Sequence, residues 1–463
     1  MQANETRFTE TVAPFNSIPT PNENWLSGSI GKFEPHLFHQ YLYRCSRELG
    51  PICKIHMWRR PIVIISDNEA RAYVMKNRPD LFLRSSQLES VFKSIEINGV
   101  FTSDGQEWEL HRKMLNPAFK PSNIQRFFNT ILDVSSRLCA VLEKHKAPFD
   151  FQNLIQRYTV DVTTTLSFGK DINTLENPDN EIQKDLANLI PAIGRRMKSP
   201  FPYWKFITTK EDRALHASIN RMKCNVRLFI EDARRQLGAS TTPNNILQAM
   251  LLSPDVKEED IFGNVITLLI AGEDTTANSI AWTMNYLVDR PELMSEAQLE
   301  VDSNYPQNRD LSWEDLDRFP LTFSLAQEAM RLKPVTPFVH AEGRKDTNLL
   351  GYHIPKGTLM MLNNVQGGFD KSHFENPEEY NPKRWLTLER QKMNAYNQTV
   401  NPFGAGTRMC PGRQLANVEI KIVLILLLKR FTFLRPAGHA SSTEYLSMTM
   451  TPKDLVLQCS SRG

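Results

Sequence analysis

The feature that most constrains the fold is a long proline-free stretch that ends at Pro291. It follows Ser253-Pro254-Asp255, which is typical of a helix start because proline is well tolerated in the first helical turn. One helix of roughly 30 residues would span about 45 Å at about 1.5 Å per residue. That length is the width of a whole domain, so the rest of the chain is expected to pack around this helix.

The middle of the predicted helix carries a polar cluster, the sequence AGEDTT at residues 271–276. Glycine lowers helix stability and a threonine hydroxyl can bond to backbone carbonyls, so we expect a local widening or kink here. An ordinary exposed acidic face is the alternative. The apolar residues on both sides, 268–271 and 280–282, argue against it, because a polar island within an apolar helix is usually functional or fully paired.

The remaining pattern predicts a mainly α-helical protein with small β-sheets. Helical spacing of apolar residues dominates 69–330, and a last long helix is expected at 413–429. Strands are predicted at residues 51–58, 62–65, 348–358 and 359–362, and a hairpin at 446–457. Because no linker, repeat or low-complexity segment divides the 463 residues, we predict a single domain over 1–463 with an irregular N-terminal segment of about 1–40.

Composition and charge exclude several classes of function. The formal net charge is +3 and the basic residues are scattered, so nucleic acid is not expected as a partner. The six cysteines are widely spaced without a CxxC pair, which disfavours a disulfide framework or a zinc cluster. The longest strongly apolar stretch, 422–428, is far below the roughly 20 residues of a membrane span, and the N-terminus lacks an export signal. We therefore expect a soluble, cytoplasmic protein without a membrane span.

A loop rich in glycine surrounds Cys410, with the sequence FGAGTRMCPG at residues 403–412. Its glycines allow tight turns, and Phe403 and Pro411 stiffen it, so that backbone N–H groups can point at the sulfur. A thiolate that binds iron needs such hydrogen bonds, which tune its donor strength. Taken alone, Cys410 would more often be a buried structural cysteine; the whole pattern reverses that reading.

The loop resembles the ligand signature F-x-x-G-x-R-x-C-x-G of the cytochrome P450 family, which it matches at every position. Residues 271–276 are similar to the family's A-G-x-D-T-T motif. The resemblance implies the cytochrome P450 fold and a haem b cofactor, with Cys410 as the iron ligand. It also implies that Asp274 and Thr275 deliver the protons that cleavage of dioxygen requires.

Further site residues follow from the resemblance. Trp108 and Arg112, four residues apart on a predicted helix, are similar to the family's W-x-x-x-R pair. Together with Arg408 they are expected to hold the haem propionates, and His340 is expected to be another propionate partner. The family's buried structural network is expected to consist of Glu328, Arg331 and Arg384.

The resemblance places the substrate pocket by region. Its lining is expected from residues 88–101, 190–203, 268–275, 335–339 and 447–449. Within these regions the apolar wall is expected to include Phe92, Ile95, Ile97, Phe338 and Met448. An apolar small molecule of the fatty acid, terpenoid or steroid class is the expected substrate, although each of these side chains could also be plain core packing.

The resemblance implies a monooxygenase that takes one oxygen atom from O2 and works as a monomer with a separate electron donor. An acidic ferredoxin or flavodoxin with its reductase is expected to dock on the thiolate side. The basic residues proposed for that surface are His111, Lys113, Arg413, Lys421 and Lys429. The absent N-terminal anchor looks more bacterial than microsomal. Two alternatives stay open: a peroxide-using or rearranging haem-thiolate enzyme, and a haem-binding protein without turnover.

Overall fold

The computed structural model describes residues 13–199, 201–240, 242–253, 257–387 and 399–462. Helices account for most of this chain and the sheets are small, so the predicted fold class is confirmed. The helices, numbered here in chain order, are α1 Phe38–Leu49, α2 Asn68–Lys76, α3 Ser86–Lys93, α4 Gly105–Leu115, α5 Pro121–Arg126, α6 Phe128–Lys144, α7 Phe151–Phe168, α8 Glu181–Lys198, α9 Lys210–Leu237, α10 Ile246–Leu251, α11 Glu258–Val288, α12 Pro291–Asn304, α13 Pro320–Leu332, α14 Asn364–Gly368 and α15 Arg413–Arg430.

Twelve strands form the sheets of the described residues. They are β1 Ile52–Met57, β2 Arg60–Ile65, β3 Phe82–Leu83, β4 Phe149–Asp150, β5 Phe338–Gly343, β6 Thr347–Leu349, β7 Tyr352–Ile354, β8 Leu359–Asn363, β9 Phe431–Leu434, β10 Thr443–Leu446, β11 Met450–Lys453 and β12 Val456–Ser461. The largest sheet has five strands in the order β1-β2-β8-β5-β3, with β2 and β8 parallel and the other pairs antiparallel. The predicted strands near the N-terminus are therefore confirmed, and they pair with chain some 300 residues later.

The long helix α11 crosses the molecule as expected, with 31 residues. Its predicted start at Ser253-Pro254-Asp255 lies partly outside the described residues. Residues 271–276 are α-helical throughout, so the expected widening is wrong, whereas the expected kink stays a prediction. Gly272 serves packing: a Cβ there would lie 2.4 Å from the hydroxyl oxygen of Thr163, so glycine lets α7 approach α11 closely.

The C-terminal hairpin differs from its prediction. β10 and β11 form a two-stranded hairpin whose tip is residues 447–449. The following strand leaves it, because β12 pairs with β9 through Cys459 and Phe433 and with β4 through Leu457 and Phe149. The hairpin tip is thereby free to lie against α11.

The apolar stretch 422–428 is buried within α15 in the core. In the part of the chain that the structure describes, no helix is long and apolar enough to cross a membrane.

Candidate active site

The Cys410 loop is a tight turn held against α2. The backbone N–H of Cys410 donates to the carbonyl of Phe403 at 2.9 Å, which closes the loop on itself. Gly406 has φ of 70°, and a Cβ there would lie 2.5 Å from the carbonyl oxygen of Met75. Only glycine fits this position, so the glycine of the sequence pattern lets the loop pack close to α2.

The Cys410 side chain opens onto an interior cavity while lying deep among protein atoms. Burial raises the pKa of its thiol, and the backbone N–H groups of Gly412 and Arg413 act in the opposite direction, as does the charge of Arg112. These donors lie where α15 begins. The loop therefore directs N–H groups at a sulfur, as the sequence predicted for a metal-bound thiolate.

The cavity above Cys410 has a volume of about 840 Å³. It lies between the Cys410 loop and the middle of α11, and the tip of the β10–β11 hairpin closes one side. The apolar side chains that line it include Leu88, Phe92, Phe101, Phe338, Met361 and Met448. Of the predicted wall residues, Ile95 and Ile97 are buried in the hydrophobic core instead, because the turn after α3 directs them inward.

Basic side chains cluster on one wall of this cavity. Trp108 is buried, and the Arg408 guanidinium lies 4.4 Å from the centre of its ring. Arg408 also donates to the carbonyl of Ser103 at 2.9 Å and pairs with Asp104. Arg112 borders the same space, and burial lowers its pKa. The structure thus brings together the three side chains that the sequence predicted as propionate partners.

Two arginines of this wall were missed by the sequence reasoning. The Nε atoms of Arg78 and Arg84 are buried and have no hydrogen-bond partner among the described residues. Burial and then the charge of Arg408 lower the pKa of Arg78 to about 10 and that of Arg84 to about 9. No motif marked them, since isolated arginines in the segment between α2 and α3 carry no pattern.

His340, on β5, also borders the cavity. Burial, followed by the charges of Arg84 and Arg60, lowers the pKa of the imidazole to about 4. The ring is therefore neutral near pH 7 and can act as a hydrogen-bond donor beside the arginines. Crowded cations with unsatisfied donors are costly in a protein interior, so this wall fits an anionic ligand.

The acidic and hydroxyl groups of α11 face the cavity from the other side. Asp274 is buried; it pairs with the hydroxyl of Thr449 and accepts from Gln156 at 3.3 Å. Burial raises the pKa of its carboxyl. The Thr275 hydroxyl donates to the carbonyl of Ala271 at 2.7 Å. Both side chains border the space above Cys410, although each has a partner elsewhere.

The expected structural network is present. Glu328 and Arg331 are fully buried and joined by hydrogen bonds of 2.7 and 2.8 Å. Arg384 donates to the same carboxylate at 3.0 Å, and Trp385 does so at 2.9 Å. A paired and fully bonded ion cluster of this kind fixes α13 against the segment that leads to the Cys410 loop.

The expected basic docking surface is only partly formed. His111 is buried and lies 3.2 Å from Asp260, so its place on that surface is wrong. Lys421 pairs with Asp317 and Lys429 with Asp302, each at 3.0 Å. Lys113 and Arg413 are exposed.

A mainly helical fold with a cysteine loop facing a large apolar cavity defines the class of haem-binding oxygenases. The family model described as Cytochrome P450 matches residues 18–458. The chain therefore belongs to the cytochrome P450 family and is a monooxygenase of that family.

Similar proteins extend over nearly the whole chain. "Cytochrome P450 3A6" of Oryctolagus cuniculus is 25% identical over 90% of this chain and 85% of its own length. "Cytochrome P450 4V2" of Rattus norvegicus is 27% identical over 85% of this chain and 79% of its own length. The crystal structure of the cytochrome P450DA heme domain matches with a TM-score of 0.87 at 23% identity, over 98% of this chain and 99% of the other, which supports the fold.

Proposed function

We propose that the cavity holds haem b, with Cys410 as the thiolate ligand of its iron. One observation supports this proposal most strongly. The same cavity is bordered by a cysteine sulfur that accepts backbone N–H bonds and by arginines whose buried Nε atoms have no hydrogen-bond partner among the described residues. Arg78, Arg84, Arg112 and Arg408 would neutralise the two propionates, and the neutral His340 would donate a hydrogen bond. The donor set around the cavity fits this cofactor.

The haem, when bound, supplies the iron centre at which dioxygen is activated. The chain contributes the surroundings of that chemistry. The Thr275 hydroxyl lies at the cavity wall, where it can donate a hydrogen bond to oxygen, and Asp274 is the acid beside it. Because burial favours the protonated carboxyl, Asp274 is suited to give up a proton and then recover one.

We infer that the substrate is an apolar small molecule, of the fatty acid, terpenoid or steroid class. The lining of phenylalanine, leucine and methionine side chains supports this inference. Apolar walls exclude water and hold such a molecule mainly by burial of surface, at about 25 cal/mol per Å². Cys410 and Thr275 both border this cavity, so a bound apolar molecule would share it with the haem and lie beside α11.

We further propose that electrons come from a separate ferredoxin-type or flavodoxin-type protein. The exposed cations Lys113 and Arg413 support a docking surface on the Cys410 side, because α4 and α15 both border the cysteine loop. Opposite charges across such an interface raise the association rate, and this attraction weakens as the salt concentration rises.

Electron-dependent turnover tests the proposal and separates it from its two alternatives. Purified protein loaded with haem is screened against lipophilic compounds for the spectral shift that substrate binding causes. Compounds that bind are then incubated with a ferredoxin and its reductase, and products are identified by mass spectrometry with labelled dioxygen. Incorporation of one labelled oxygen atom, dependent on the electron donor, is expected. Product formed only with added peroxide, or no product at all, would contradict the proposal.

A further inference from the structure

A second cavity of about 920 Å³ adjoins the cavity above Cys410, and the two share Asp274 of α11, Ile190 and Gly194 of α8, and Ser447 of the hairpin tip as lining residues. Its walls come from α7, α8, α11 and the β10–β11 hairpin. The rim includes the exposed residues Asn153, Lys184, Ala187 and Arg195, and the floor is formed by Glu273 and Asp274. The cavity therefore leads from the protein surface to two buried carboxyl groups.

Glu273 has no assigned role in the proposed function. Its side chain is 2% exposed, and its Oε2 atom has no hydrogen-bond partner among the described residues. Its Oε1 atom accepts a hydrogen bond of 3.3 Å from Gln183. Glu273 borders the second cavity, whereas Asp274 borders both cavities. An unpartnered carboxyl oxygen at the floor of such a cavity is free to bond to water.

Burial and then the neighbouring Asp274 raise the pKa of Glu273 well above its ordinary value. The other charged or titratable groups around the cavity are Lys184, Arg195 and Lys198 of α8, Tyr203 after it, and Tyr445 of β10. Lys198 is held by the carbonyl of Leu446 at 2.6 Å, and Lys184 pairs with Asp179 at 3.0 Å. Gln156 and Gln183 complete the polar lining around the two acids.

We propose that the second cavity is a water-filled route for proton entry and that Glu273 relays protons from its water to Asp274. Glu273 gives its proton to the Asp274 carboxylate and takes a replacement from the adjacent cavity water, which in turn receives a proton from bulk solvent through the other waters of the cavity, so charge is conserved and no electron moves. The proposal rests on the proposed role of Asp274 in proton delivery. Glu273 acts through Asp274 and does not contact the substrate cavity.

Replacing Glu273 with glutamine is the direct test, because Glu273→Gln keeps the shape and the contact with Gln183 but carries no acidic proton. Haem content, the reduced carbonyl spectrum and substrate affinity are expected to match the wild type. Product formed per electron is expected to fall by about tenfold, with more peroxide released and a larger solvent isotope effect on turnover. Glu273→Asp is expected to recover part of the coupling, which a purely structural role would not explain.

Blocking the rim provides a second test that leaves both acids unchanged. Ala187→Phe places a ring at the mouth of the cavity, and the matched control Asn188→Phe places the same ring on the exposed surface of the same helix. Loss of coupling in Ala187→Phe but not in Asn188→Phe is expected. Equal coupling in these two variants, or wild-type coupling and isotope effect in Glu273→Gln, would overturn the relay. Absence of product from the wild type would instead overturn the proposed function.

Discussion

At the scale of single residues, Thr275 borders the cavity above Cys410 while its hydroxyl is hydrogen-bonded within its own helix. Its hydroxyl bonds to the carbonyl one turn earlier, which costs the helix little, and its methyl and hydroxyl border the cavity. Under the proposed function, rotation of the Thr275 side chain would free the hydroxyl for a ligand above Cys410 without rearrangement of α11.

Thr275→Ala is expected to retain haem and substrate binding but to divert electrons to peroxide, because the hydroxyl donor beside the oxygen is lost. Coupling of electrons to product should fall about tenfold or more. The control is Thr283→Ala two turns later, where the buried hydroxyl bonds to the carbonyl of Ser279 at 2.7 Å outside the cavity. Normal coupling in Thr275→Ala would remove Thr275 from its role.

The proposed haem site predicts that the charge of Arg84 costs stability in the haem-free protein and contributes affinity in the loaded one. Arg84→Leu is expected to stabilise the haem-free protein by about 1–2 kcal/mol, since it removes a buried charge next to Arg78 and Arg408. The same variant should bind haem at least tenfold more weakly. Chemical unfolding with and without haem measures both effects.

The pH dependence of the Arg84 effect has a defined sign. The pKa of Arg84 is lowered to about 9, so the folded haem-free protein loses this proton before the unfolded chain does. Its destabilising effect is therefore largest below about pH 9, and the difference between wild type and variant should shrink above that value. Arg234→Leu, at an exposed site on α9, is the control and should change neither quantity. Destabilisation of the haem-free protein by Arg84→Leu would contradict the proposed anion-binding wall.

At the scale of elements, α11 and α7 form the tight contact that positions the acids. Gly272 admits Thr163, and the Thr159 hydroxyl donates to the carbonyl of Glu273 at 2.8 Å. The sequence predicted a distorted helix from the same glycine. Glycine weakens a helix when nothing packs on it, but here the packing of α7 compensates for the lost propensity.

Gly272→Ala is expected to destabilise the protein by about 1–3 kcal/mol, because the added methyl group overlaps Thr163. Gly194→Ala in α8 is the matched control: its added Cβ would meet Ser447 at 3.4 Å, so the gain in helix propensity should leave stability unchanged or raised. Thermal unfolding of the two variants gives the comparison. Equal stability of the two would show that the α7–α11 contact is looser than described.

Local patterns predicted the elements well where the pattern is strong. The long proline-free stretch correctly predicted α11, and the apolar residues around 422–428 marked α15. The two short strands predicted near residue 60 are β1 and β2. The path of β12 could not be predicted, because its partners Phe149 and Phe433 are distant in sequence. From the sequence alone, pairing with their strands and pairing in a local hairpin are equally compatible with the apolar pattern. Arg78 and Arg84 were missed for a similar reason: only the fold places them beside Arg408 on the wall of the cavity.

At the scale of the whole molecule, two cavities that differ in character adjoin each other beside α11, α8 and the β10–β11 hairpin. The cavity on the Cys410 side is lined mainly by apolar side chains, whereas the second cavity reaches the surface between charged residues. Asp274 belongs to both. Under the two proposals, the apolar lining would keep bulk water away from the substrate and the second cavity would provide the path for protons.

The proposed docking of an electron donor makes electron delivery depend on the surface charge around the Cys410 loop. Lys113→Glu is expected to slow reduction by an acidic ferredoxin about three- to tenfold at low salt and to flatten its dependence on salt. Lys429→Glu serves as the control, because that lysine is already paired with Asp302. Stopped-flow reduction across a range of ionic strength measures both rates, and unchanged kinetics for Lys113→Glu would remove it from the docking surface.

The identity of the iron ligand is tested most directly by the spectrum of the reduced carbonyl complex. Cys410→Ala and Cys410→His are expected to abolish the band that a thiolate ligand produces, because no other cysteine of the described residues borders the cavity. Cys139→Ala, at a fully buried site on α6, should leave that band intact. A Cys410 variant that keeps the thiolate band would contradict the assignment of Cys410 as the haem ligand.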